Sequence, residues 1–196
     1  GGKTEAYLGL TAFIIFYRRL RYPSESSGTA VIMRYTLRLL ASQQFTRAAT
    51  LICACEYIRR DSNSRCPKYA TYALGKEAIT IGLWIGSVHT PNKNSDAKVN
   101  LRKLIESSSF NIKNNKDRYN KFQVLKCPWC GTKLVKERKS NSLIGQWGYK
   151  MRNNSRFYMS CPHESCSFND ELPIQIVDEE LYRTPPTLLF GTVDKF

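Results

Sequence analysis

Residues 29–60 read TAVIMRYTLRLLASQQFTRAATLICACEYIRR. Thr29 to Met33 is a short, continuously apolar run, as in a strand buried on both faces. From about Leu39 to Arg60 the period changes. Ala41, Phe45, Ala48, Ile52, Cys55 and Ile58 recur at helical spacing on one face. A strand passing through a short turn into a long helix is half of a parallel α/β unit, and the rest of the chain repeats the alternation. Upstream, Glu5 to Leu20 reads as a helix with little polar surface, so it is expected to be mostly buried. Arg18, Arg19 and Arg21 close it where the helix dipole favours cations. Downstream, Ile79–Ile85 reads as a strand, Asp96–Glu106 as a short helix, and Ile174–Val177 and Thr187–Phe190 as final strands. Between about 108 and 172 the alternation breaks, so that segment reads as an insertion between two strands of one sheet. The expected division is 1–107 for the first part of the α/β lobe, 108–172 for the insertion and 173–196 for the return to the lobe.

Charge follows the same division. The 196 residues carry a formal charge of +14. Residues 1–97 hold 13 bases and 6 acids, residues 98–158 hold 15 and 3, and residues 159–196 hold 2 and 7. A basic middle segment favours a polyanion, most simply nucleic acid, held through its phosphates. The longest apolar run, Ala6 to Tyr17, is about 12 residues against the roughly 20 that span a bilayer, so no membrane is expected. The chain opens without Met or a secretory signal, which suggests a fragment of a cytoplasmic protein in a reducing compartment.

Two short patterns carry chemistry. Gly1-Gly2-Lys3-Thr4 ahead of a helix matches the last four positions of the phosphate-binding loop G-x-x-x-x-G-K-[ST]. In such a loop Gly1 and Gly2 let backbone approach phosphate, Lys3 reaches the β- and γ-phosphates of ATP, and the Thr4 hydroxyl ligates Mg²⁺. Cys127-Pro-Trp-Cys130-Gly131 and Cys161-Pro-His-Glu-Ser-Cys166 form the stronger signal. Two close pairs separated by 30 residues offer four thiolates to one tetrahedral Zn²⁺, a filled and therefore structural site. His163 is an alternative ligand, though two cysteines already bracket it. Cys53 and Cys55 read as packing on the long helix, and Cys66 has no second pair. Thr36, Arg38 and the first amides of the long helix could hold a backbone phosphate. Asp178-Glu179-Glu180 invites reading as a magnesium-binding acid pair, but its place before the last strand favours a solvated turn.

GGKTEAYLGL, MRYTLRLLASQQFTRAATLICACE, IGLWIG, CPWCG and TPPTLLFGTVDKF, in this order, resemble the helicase of the DISARM anti-phage defence system, a superfamily 2 DNA helicase. The resemblance implies a RecA-like P-loop NTPase sheet with a zinc-ribbon insertion. It implies ATP-driven DNA translocation by the full-length protein, with other subunits of a defence complex as partners. Gly2, Lys3 and Thr4 would close motif I. Thr36 to Gln43 would be motif Ia, and Thr192 the motif Ib threonine, the last two on the DNA backbone. The DExH box and the second RecA-like lobe are absent from these residues, so the fragment alone is expected to be inactive. Two rivals stand beside this reading: a non-catalytic zinc-ribbon module that binds nucleic acid, and a small-molecule kinase with the same phosphate loop.

Overall fold

The computed structural model describes residues 2–22, 27–35, 38–65, 74–109, 120–139 and 142–193. They form a mixed α/β fold around a parallel sheet of four strands, as the alternation predicts. Helix α1 (Lys3–Arg21) leads to β1 (Val31–Tyr35), α2 (Arg38–Arg65), β2 (Ile81–Trp84) and α3 (Asn94–Ser109). Two antiparallel hairpins follow, β3 (Glu137–Lys139) with β4 (Ser142–Ile144) and β5 (Tyr149–Arg152) with β6 (Arg156–Met159). The chain then returns to the sheet through β7 (Ile174–Gln175), α4 (Asp178–Arg183) and β8 (Leu188–Thr192).

The order in the sheet is β1-β8-β2-β7, with every pairing parallel. Strands pointing one way need crossovers, which α2 and the long path through the insertion supply. Register sets the two faces. Val31, Met33 and Tyr35 pair with Leu188, Phe190 and Thr192, and all point to the side covered by α2. There Tyr35 stacks on Phe190 at 4.7 Å, and Phe45 of α2 meets Phe190 edge-on at 5.6 Å. On the other face Gly82 is obligatory: a Cβ there would stand 2.4 Å from Leu181 and 2.6 Å from Pro186. The segment through α4 therefore lies flat on β2, and Trp84 meets Tyr182 edge-on.

Buried polar contacts fix the amino edge of the sheet. Glu56 on α2 is fully buried and accepts from the Arg59 and Arg60 guanidinium groups and from the Ile79 amide, 2.8 Å away. Burial works against its charge, but these donors outweigh it and hold its carboxyl below the usual range. Arg19, also buried, donates to the carbonyls of Leu74, Glu77 and Ala78 and so ties the end of α1 to the approach to β2.

The insertion shares its core with the sheet. Phe122, Leu134, Tyr149, Phe157, Met159 and Phe168 belong to one contiguous cluster with Ile52, Ile81, Leu83 and Phe190. Trp129, in the first cysteine turn, stacks on Tyr57 of α2 at 5.1 Å and meets Phe168 edge-on. The Met159 carbonyl accepts the Leu172 amide, so the end of β6 is tied to the approach to β7 across the second cysteine turn.

Three expectations change. Helix α1 is not mostly buried: Tyr7, Leu10, Phe13, Tyr17 and Leu20 are each about half exposed, because nothing among the described residues covers their side. The long helix continues to Arg65, five residues past its expected end at Arg60. Asp178-Glu179-Glu180 is no solvated turn but the first turn of α4, with Glu180 buried.

Candidate functional site

The cysteine cluster is built by two turns. The first hangs between Lys126 and Lys133, which bridge antiparallel. Its chain reverses through the Gly131 amide donating to the Cys127 carbonyl, with Gly131 at φ 78°, a conformation glycine adopts without strain. The second follows β6, where the Cys166 amide donates to the His163 carbonyl. The Asn169 side chain donates to the Cys161 carbonyl and so pins the start of that turn.

The sulfurs converge. Cys127 Sγ is 4.0 Å from Cys166 Sγ, Cys130 Sγ is 3.4 Å from Cys161 Sγ, and all four lie within 4.8 Å of one another. A tetrahedron with metal–sulfur bonds of about 2.3 Å has edges of about 3.8 Å, so the four sulfurs are spaced closely enough that they could hold a zinc-sized ion. Among the described residues the cluster contains cysteines alone, and His163 is exposed at its rim. The electrostatics are uneven. Burial pushes Cys127 up, and pushes Cys161 up to about 11. Burial also opposes ionisation of Cys130, but hydrogen bonds from Thr132 and the neighbouring thiols bring it down to about 6. What points to a metal cage is the convergence of four sulfurs with no other ligand type among them, which could offer one ion a full tetrahedral set. Cys53 and Cys55 are buried on α2, where burial raises them to about 12 and 11, as inert packing thiols.

The glycine-lysine stretch lies elsewhere. Gly2 caps α1 with no side-chain hydrogen bond, and a Cβ there would meet nothing within 4 Å. Packing of the described residues therefore gives no reason for glycine, whereas close approach of a ligand would. Lys3 is exposed and Thr4 partly so; Gly1 lies outside the described residues. Helix direction places this end. Arg18, near the C-terminus of α1, donates to the Thr29 carbonyl just ahead of β1. Tyr7, in the second turn, is close enough to Tyr35 at the end of β1 to join burial in raising its pKa. So α1 runs antiparallel to β1, and its N-terminus lies toward the carboxyl edge of the sheet.

Register brings Tyr35 beside Thr192 at that same edge. Thr36 lies outside the described residues, and of Arg38 only the backbone, as the first residue of α2, is described. Thr192 is buried, and its hydroxyl has no partner among the described residues.

Sequence reasoning missed one constellation. The Glu179 carboxylate accepts from the Asn94 amide at 2.8 Å and from its side chain at 3.0 Å, so it caps the N-terminus of α3. These bonds hold its carboxyl below the usual range. The Asn94 side chain also donates to Glu180 and accepts from the Phe157 amide of β6. Glu180 pairs with Arg156 and Arg183, and Arg156 with Glu171. Sheet, α3 and insertion are thus laced by one polar network. A cleft of about 930 Å³ opens beside it at the amino edge, lined by Arg19, Arg59, Arg60, Arg152, Arg156 and Arg183. Every one of these arginines has a carboxylate or carbonyl partner.

No family model matches the chain. It is 37% identical, over 207 aligned positions, to the DISARM protein DrmA of Bacillus paralicheniformis, and the match takes in 100% of the chain. The chain is similar from end to end to part of a DISARM protein. It spans 16% of that relative's length. No helix among the described residues is long and apolar enough to cross a membrane.

Proposed function

We propose that the chain is part of the first RecA-like lobe of an ATP-dependent, superfamily 2 DNA translocase that acts in anti-phage defence beside other subunits. What supports this reading is that three motif-bearing ends lie toward the carboxyl side of one parallel sheet. These are the glycine-lysine start of α1, the end of β1 at Tyr35 with the start of α2 at Arg38, and Thr192 at the end of β8. Ligands of open α/β sheets gather at that edge. Similarity to a DISARM protein supports the biological setting.

In this reading the amides that open α1 and the Lys3 ammonium would hold the phosphates of ATP, and the Thr4 hydroxyl would ligate Mg²⁺. ATP supplies the phosphoryl bond whose cleavage drives movement. The described chain contributes binding and orientation; the acid and arginine that complete hydrolysis come from elsewhere in the larger protein. DNA is held by its phosphates along the carboxyl edge and by the basic insertion, whose four cysteines hold one structural Zn²⁺. A zinc held there would brace the two cysteine turns, away from the nucleotide.

The experiment is ATP hydrolysis by the full-length protein. Lys3→Ala removes a charge that neutralises the transferring phosphoryl group and should lower the rate by at least about 100-fold. Glu179→Gln should hydrolyse ATP at nearly the parental rate, because that carboxylate caps α3 rather than holding magnesium. Full activity in Lys3→Ala would remove the nucleotide site from α1.

A further inference from the structure

The cleft of about 930 Å³ lies where all four strands of the sheet begin. Gly28, Thr80, Pro173 and Thr187 line it, and they come just ahead of β1, β2, β7 and β8 in turn. It is therefore on the opposite edge of the sheet from the glycine-lysine start of α1. Small-molecule sites run from about 300 to 1,000 Å³, so this one is roomy for its kind. Its lining is not that of an ordinary apolar pocket. Six arginines and four acids line it, the acids being Glu56, Glu77, Asp170 and Glu171, and among the described residues no aromatic side chain does so.

The acids hold the arginines in place without exhausting them. Arg152, Arg156 and Arg183 form one row bridged by two carboxylates. Arg152 Nη2 is 3.0 Å from Glu171. Arg156 forks onto the same carboxylate and reaches Glu180 at 3.4 Å, and Arg183 Nη2 meets Glu180 at 2.5 Å. A guanidinium has five N–H donors. Arg152 and Arg183 each engage a carboxylate through a single nitrogen, and their side chains are 50% and 59% exposed. Arg152 also lies over the Tyr158 ring, 4.7 Å from its centre. Donors are thus left over on side chains that are already positioned, so less freedom is lost when they take an anion. Farther from solvent, Arg19 is 2% exposed, and its Nε has no hydrogen-bond partner among the described residues. A buried donor left unpaired is costly until something supplies an acceptor.

We infer that this cleft binds a phosphate-bearing ligand, with Arg152 and Arg183 as an exposed clamp and Arg19 in the buried wall. The guanidinium fork matches phosphate oxygens two at a time, which is the recognition that an arginine-lined site offers. With no aromatic ring to stack on a base, recognition falls on the phosphate and its immediate surroundings. Two sources share that chemistry: a small phosphorylated molecule, and the sugar–phosphate backbone of a single strand. The inference does not rest on ATP binding at α1.

The test is modification of arginine by phenylglyoxal in the full-length protein carrying Lys3→Ala, so that the proposed nucleotide site is silent. Peptide masses give the rate at each arginine. Without added ligand both Arg152 and Arg183 should react. Pyrophosphate at about ten times its dissociation constant should slow both by about tenfold and leave exposed Arg102 of α3 unchanged. A single-stranded oligonucleotide without terminal phosphate is the second arm. Protection by pyrophosphate assigns the site to a small phosphorylated molecule, and protection by the oligonucleotide alone assigns it to a strand's backbone. Arg152→Gln combined with Arg183→Gln should weaken binding of the protecting probe at this cleft by at least about 30-fold. Melting should change little, because Glu171 and Glu180 both keep Arg156. Protection by neither probe, or undiminished binding in the double variant, would overturn the inference. So would arginines that fail to react without ligand, since another part of the protein would then fill the cleft. The readout is local to Arg152 and Arg183, so normal ATP hydrolysis by Lys3→Ala would refute the nucleotide site at α1 and leave this one standing.

Discussion

Removing the metal from the four-cysteine cage should weaken the whole described fold, not the insertion alone. Cys127, Cys161 and Cys166 are buried in the cluster that also contains Ile52 of α2 and Phe190 of β8. The turn that carries Cys127 is pressed onto α2 by Trp129 against Tyr57, and Thr50 of α2 donates to the Pro128 carbonyl at 3.2 Å. A metal present at about 1,000 times its dissociation constant stabilises the native state by about 4 kcal/mol. For 150–250 residues each kcal/mol moves Tm by roughly 2–4 °C, so stripping the metal should lower it by roughly 8–16 °C. The first assay is metal analysis of protein purified without chelator, with about one zinc per chain expected. Calorimetry with and without chelator is the second. Because the core is shared, the transition should move as one rather than split into an early insertion peak and an unchanged sheet peak. Cys161→Ser should reproduce the loss, and added zinc should not rescue it. Absence of metal in the purified protein, or a Tm indifferent to chelator, would refute the argument from the sulfur cage. A split transition would refute the argument from the shared core.

Three further outcomes follow from the charges. Glu56→Ala leaves Arg59 and Arg60 without their buried acceptor and should cost about 3 kcal/mol, the lower end for a broken buried pair because Arg60 is a third exposed; chemical denaturation measures it. The Glu56 pKa is held below 4.5 in the fold. Its contribution is therefore present above the unfolded value and lost as pH falls through the lowered folded one, so the stability gap between parent and Glu56→Gln should narrow as pH falls below the usual carboxylate range. Replacing Lys133, Lys136, Arg138 and Lys139 together by Gln should weaken DNA binding by the full-length protein. If all four sit on phosphates of a single strand, the log–log salt slope should flatten by about 3; an unchanged slope would place that charge on solvent or a protein partner.

The strand–helix alternation was legible because buried parallel strands are short apolar runs and α2 keeps a helical period across more than five turns. Boundaries moved where the sequence has no punctuation. Strand β1 begins at Val31 rather than Thr29, because its first pairing, with Leu188, depends on a strand 157 positions away. The cysteine cage was legible for a different reason: paired spacing is local, and a turn of three or four residues delivers two sulfurs to one side whatever surrounds it. The sharing of the core was not legible. Trp129 and Tyr57 are 72 positions apart, and nothing in either segment announces that one rests on the other. The exposure of α1 was misread for a related reason. Its apolar faces suggest burial, but burial depends on partners, and the described residues supply them for one face only.

The acidic triplet shows where sequence and geometry part most sharply. Three acids after an apolar strand are the composition of a magnesium site, and position alone argued against that role. Geometry adds a physical reason. The Glu179 carboxylate already accepts two hydrogen bonds from Asn94, and Glu180 is buried against Asn94, Arg156 and Arg183. To bind a divalent cation these groups would have to release the cap of α3 and leave Arg156, shared with Glu171, short of an acceptor inside the fold. A carboxylate so committed stabilises structure instead of turning over nucleotide. Glu179→Ala should consequently lower the melting temperature by a few degrees, since losing such a cap costs about 1 kcal/mol, while the rate of ATP hydrolysis stays within about twofold of the parent. Loss of hydrolysis at unchanged stability would put the magnesium site in α4 and overturn both the capping role and the placement of the nucleotide at α1.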